Sequence, residues 1–98
     1  MSIYTGRHSV YAQKHGRYCP GRGVNVRTAR CILRMIDAEL RRGWTYDKSG
    51  RRIKMTTALA RRRALYLVAL ARRHHGAEEA RRVENLVKRW LARRRASA

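Results

Sequence analysis

Three stretches of the chain repeat apolar residues at helical spacing. The first follows Asn25, a residue suited to capping, and predicts a helix over Val26–Arg42. At about 100° per residue, Val26, Ala29, Ile32, Leu33, Met35, Ile36 and Leu40 fall on one side. Arg27, Arg30, Arg34 and Arg41 fall on the other. Asp37 sits among these arginines, at i+3 from Arg34 and i−4 from Arg41, and is expected to tether them locally. Gly43 supplies a stop, and Trp44 after it can fold back on the apolar side.

The second stretch is capped by Thr56 or Thr57 and ends near His75, before Gly76. Leu59, Ala60, Ala64, Leu67, Val68, Leu70 and Ala71 cover a broad apolar arc. Arg61 and Arg72 project along one line, Arg62 and Arg73 along the next, each pair about 16 Å apart along the axis. Arg63 and Leu65 break the pattern, and Leu65 is expected to be exposed unless something covers it. The third stretch runs from Ala77 to Arg94, with Ala80, Val83, Leu86, Val87, Trp90 and Leu91 as its stripe. Arg81, Arg82, Lys88 and Arg89 lie outside that stripe. Glu78 and Glu79 suit its positive end, and Arg93, Arg94 and Arg95 its negative end. Three such stripes must bury one another, so the predicted fold class is mostly α, a small three-helix domain over residues 25–98.

Between the first two helices, residues 44–55 read as a short β-hairpin or loop around Asp47-Lys48-Ser49-Gly50. Trp44 and Tyr46 alternate on one arm, Ile53 and Met55 on the other, with Lys48, Arg51, Arg52 and Lys54 near the tip. Residues 1–24 hold most of the chain breakers: Gly6, Gly16, Gly21, Gly23 and Pro20. They read as a flexible basic arm, with at most a short helix near Ser9–His15. The arm carries a seven-residue echo in Tyr4, Tyr11 and Tyr18, in Arg7 and Lys14, and in His8 and His15. Such alternation of rings and cations suits single strands and splayed bases.

Composition sharpens this picture. The chain has 98 residues, with 25 Lys+Arg against 6 Asp+Glu and a formal net charge of +19. That length holds one small domain with a modest core. A hydrophobic content of 44% is too high for a disordered basic tail. Charge of one sign opposes compaction, and a polyanion bound by the folded state offsets it. A merely solvated surface mixes signs. The expected partner is therefore nucleic acid, DNA or RNA, or a nucleoprotein complex, held by phosphate contacts with weak sequence specificity. The second helix has almost none of the Asn, Gln, Ser and Thr that read base edges, which favours backbone contact. The expected interface residues are Arg27, Arg30, Arg34, Arg41, Arg51, Arg52, Arg61, Arg62, Arg72 and Arg73, with Tyr11, Lys14 and Tyr18 from the arm. The alternative is a small inhibitor or adaptor of the phage or mobile-element type. It would dock on an acidic or nucleic-acid-binding surface of a larger complex, with Leu65, the hairpin aromatics and Trp90 as anchors.

Catalysis is not expected. The acids Asp37, Glu39, Asp47, Glu78, Glu79 and Glu84 are scattered and mostly suit helix ends or local pairs. Gly21-Arg22-Gly23 lacks the spacing of a phosphate-cradling loop. No cofactor is implied, and no metal. The alternative metal set would be His8, His15, Cys19 and Cys31, four ligands suited to zinc, but paired Cys-x-x-Cys spacing is absent. His74 and His75 suit a helix C-terminus. Cys19 and Cys31 read by default as a reduced pair, with a disulfide left open. The longest apolar run, Ala64 to Ala71, falls far short of the ~20 residues that span a bilayer, so no membrane partner is expected. A cytoplasmic, nucleoid- or ribonucleoprotein-associated location follows from these readings.

Overall fold

A computed structural model describes residues 3–20 and 23–97, with side chains placed as far as residue 94. Gly21, Arg22 and the side chain of Arg95 lie outside that description. The elements are α1 (Val10–His15), α2 (Val26–Arg42), β1 (Trp44–Tyr46), β2 (Arg52–Lys54), α3 (Thr57–His75) and α4 (Ala77–Ser97). The fold is mostly helical with one small hairpin, as the patterning implies. It has four helices among the described residues, where the patterning predicts three.

α2 begins where its caps put it. The Asn25 side chain accepts from Thr28 N at 2.8 Å, and Glu79 of α4 accepts from Val26 N at 2.9 Å. Two of the N–H groups that a helix start leaves unpaired are thereby satisfied. Thr56 caps α3 through Leu59 N at 3.1 Å. Gly76 alone separates α3 from α4, so α4 folds back along α3, and α2 lies against both. The shared core holds Ile32, Leu33 and Ile36 of α2, Leu67 and Leu70 of α3, and Val83, Val87 and Trp90 of α4. Ala60, Ala64 and Ala71 are also buried, and such small side chains let the neighbouring helices approach closely.

β1 and β2 pair antiparallel, Trp44 with Lys54, Thr45 with Ile53 and Tyr46 with Arg52. The turn is organised by Asp47, whose Oδ1 accepts from Ser49 N, Ser49 Oγ and Arg51 N. These bonds hold its carboxyl below the usual range.

The first 24 residues differ most from expectation. Tyr4, Tyr11, Cys19 and Val24 are buried in the main core, and the Tyr4 and Tyr11 rings stack with centroids 5.4 Å apart. Ser9 caps α1, and Cys19 N donates to Tyr4 O at 2.7 Å. Cys19 and Cys31 form a disulfide that ties the segment to α2. The described part of the segment is therefore packed against the helices and is not a free arm. The bonded cysteines also replace the expected reduced pair, and disulfides persist in oxidising surroundings rather than a reducing cytosol.

What draws the segment in is a buried carboxylate. Glu39 is 1% exposed. It accepts from the hydroxyls of Tyr4, Tyr11 and Thr45. Those hydroxyls are themselves approached by guanidinium groups: Arg63 Nη1 donates to Tyr4 Oη at 2.9 Å and to Thr45 Oγ1 at 2.8 Å, and Arg42 Nη2 to Tyr11 Oη at 2.6 Å. A buried charge is tolerated when it is hydrogen-bonded and paired in this way. Arg63, which breaks the apolar pattern of its helix, thus serves the interior.

Candidate nucleic-acid interface

The surface charge follows from where the acids go. Glu39 is enclosed by the tyrosine hydroxyls. Asp37 accepts from Trp90 Nε1 at 3.0 Å and from Arg94, and among the described residues neither Arg34 nor Arg41 forms a salt bridge with it. The expected local tether on α2 is therefore replaced by a tie between α2 and α4. Asp47 is used in its own turn. Glu78 and Glu79 pair with Arg82, and Glu84 with Lys88. Every acid of the chain is engaged within the fold, three of them on the first two turns of α4.

The expected arginines, by contrast, are all at the surface. Arg27, Arg30, Arg34 and Arg41 of α2 are exposed, as are Arg51 and Arg52 of the hairpin and Arg61, Arg62, Arg72 and Arg73 of α3. Among the described residues none of these ten forms a salt bridge.

α3 presents the most one-sided face. Its 19 residues contain no acid. Along one line lie Arg61, Leu65 and Arg72, and along the next Arg62, Tyr66 and Arg73. Leu65 is 46% exposed and Tyr66 50% exposed. Each line therefore has a cation at both ends and a large apolar group between. The sequence patterning alone passes over Tyr66. Its position, four residues after Arg62 and seven before Arg73, is the signal that marks it.

The hairpin adds a different arrangement. Arg42 and Arg52 each place a guanidinium over the Trp44 ring, 3.8 and 3.7 Å from its centroid. Such stacking holds both cations in fixed positions at the surface.

The expected contribution of the N-terminal segment is smaller. Tyr11 is buried with its hydroxyl on Glu39, so it cannot stack on a base. Burial against that carboxylate also pushes its hydroxyl, and that of Tyr4, well above the usual tyrosine range. Lys14 and Tyr18 remain exposed. Tyr18 borders a concavity of about 700 Å³ shared with Arg17, Arg42, Met35 and Cys31. The alternative zinc set is not assembled. Cys19 and Cys31 bond to each other, and His15 Nε2 shares a 3.0 Å hydrogen bond with the Tyr46 hydroxyl. Among the described residues no group of three or more His, Cys, Asp or Glu is placed to hold a metal ion. Nor, among them, is any helix long and apolar enough to cross a membrane.

No protein-family model, curated protein or solved structure matches this chain.

Proposed function

We propose that this protein binds nucleic acid through phosphate-led contacts made by the exposed arginines of α2, α3 and the hairpin. The observation that carries the reading is the segregation of charge. All six acids have partners within the chain, while α3 carries four exposed arginines and no acid. One-signed guanidinium groups projecting from helices are suited to phosphate oxygens, which they can take two at a time. The scarcity of amide and hydroxyl side chains beside them favours backbone contact over base reading. Affinity for a labelled duplex, single strand and structured RNA is expected to fall by orders of magnitude between about 50 and 200 mM salt. Binding that is weak for all three at physiological salt would remove the reading.

A second reading, docking on an acidic or nucleic-acid-binding surface of another protein, is favoured by Leu65 and Tyr66. Tyrosine and arginine are enriched among the anchors of protein interfaces, and Tyr66 stands exposed beside Leu65 among the arginines of α3. A protein partner retained on the purified chain after nuclease treatment supports this reading, and loss of all partners with nuclease supports the first.

A further inference from the structure

We infer that the groove between α2 and α4 seats the phosphate backbone of the bound nucleic-acid strand. The inference rests on the nucleic-acid reading above and gives it a specific seat. The groove has a volume of about 510 Å³. Exposed Arg30 and Arg34 line it from α2, and exposed Arg89 and Arg93 from α4. Buried Leu33 and Trp90 form its floor.

Within each helix the two arginines are four residues apart, about 6 Å along the axis. That is of the order of the separation between successive phosphates on one strand. The groove thus has two arginines on each wall, spaced along the helix axis. Asp37 also borders it, but its carboxylate is held by Trp90 Nε1 and Arg94, so its charge is met from within the protein. Exposed Arg30, Arg34 and Arg89 share one recess, and their mutual repulsion is relieved by an anion between them. The recess also removes more water from a seated phosphate than a convex helix face does, which strengthens each contact.

The same geometry argues for backbone rather than base. Trp90 is 3% exposed and its indole N–H is already committed to Asp37, so the floor offers no open ring for stacking. Arg89 and Arg93 stand outside the interface expected from sequence because α4 alone reads as a mixed-charge helix. Only the packing of α4 on α2 brings them beside Arg30 and Arg34.

The test is a nitrogen–proton correlation NMR titration of the full chain with a short oligothymidylate and, separately, with inorganic pyrophosphate. The oligothymidylate is expected to shift the amides around Arg30, Arg34 and Arg89 and the Trp90 indole N–H. The R34E/R89E variant changes two exposed residues, and its far-UV circular dichroism should match the parent. It should bind at least about tenfold more weakly, whereas R61E/R72E should keep the groove shifts. Shifts confined to α3 would overturn the groove and leave the nucleic-acid reading standing. No shift anywhere with the oligothymidylate would overturn the groove as a strand seat, and weak binding to duplex and structured RNA as well would overturn the nucleic-acid reading with it. Groove shifts with pyrophosphate but none with the oligothymidylate would make the recess a site for free phosphate species and overturn the backbone assignment.

Discussion

Arg63 reaches Glu39 through two hydroxyls: it donates to Tyr4 Oη and Thr45 Oγ1, and these donate in turn to the two oxygens of the Glu39 carboxylate. The relay joins four parts of the chain, the N-terminal segment, α2, β1 and α3, at one buried charge. Removing the carboxylate leaves three hydroxyls without their acceptor and two guanidinium groups without a counter-charge. Glu39→Ala is expected to cost about 3–5 kcal/mol, a large share of the roughly 5–15 kcal/mol available to a domain of this size. Tyr4→Phe removes one hydroxyl, a donor to Glu39 and an acceptor for Arg63, and should cost about 1–3 kcal/mol. Urea denaturation of the two variants checks both. A double-mutant cycle between Glu39→Gln and Arg63→Met should give a coupling energy of roughly 0.5–3 kcal/mol, although the relay passes through intermediate side chains.

The same network sets an alkaline limit. Tyr4 and Tyr11 hold their protons more tightly when folded than when unfolded, because burial and the Glu39 charge oppose a second anion. Above the ordinary tyrosine value of about 10, the unfolded chain loses protons that the folded chain retains. The unfolded state then binds fewer protons, so stability falls as pH rises. It should be level below about pH 9 and decline from about pH 10 upward. Thermal melts across that range in the parent and in the Tyr4→Phe variant read the effect, which should be smaller in the variant.

The disulfide closes a loop with a sequence separation of 12 between Cys19 and Cys31. Crosslinks of this kind add about 2–4 kcal/mol, largely by restricting the unfolded chain. Reduction should lower the melting temperature, and Cys19→Ser/Cys31→Ser should reproduce the reduced protein. Equal melting temperatures with and without reductant, in protein whose thiols have been titrated, would contradict this.

Gly23 has φ +75°, and a Cβ there would lie 2.7 Å from the His74 side chain. That same imidazole accepts from Val24 N through Nδ1 at 3.1 Å. Gly23→Ala is therefore expected to cost at least about 1–2 kcal/mol from the left-handed backbone alone, with a further loss if His74 is displaced. Gly16→Ala is a useful comparison, since its added methyl meets nothing and only the backbone cost remains.

Much of the helical frame is legible in local chemistry. Asn25 and Gly43 bound α2, Thr56 and Gly76 bound α3, and the observed ends agree with those signals. The N-terminal segment is not legible, because its glycines and proline describe local freedom while its order comes from distant partners. Glu39 is the clue. Seven residues after Ile32, it lies only about 20° from it around the helix, inside the apolar arc between Met35 and Ile32. An acid in that position must find donors, and Tyr4 and Tyr11, one heptad apart, supply them. The heptad echo suggests a stacking repeat, yet its first two rings are structural and only Tyr18 stays at the surface. Asp37 shows the complementary case: its sequence neighbours are arginines, but its partners come from α4. The exposed arginines are readable because polar-face position needs only the helical period. Their grouping across helices is not, since it depends on packing.

The measurement that tests the central claim most directly is the salt dependence of binding for the parent chain and for R61E/R62E/R72E/R73E, by fluorescence anisotropy with labelled single-stranded and duplex nucleic acid. The account predicts a steep fall of log affinity with log salt in the parent. In the variant the slope should be shallower by about one for each phosphate that it no longer neutralises. Equal affinity and equal slope in the two proteins would contradict it.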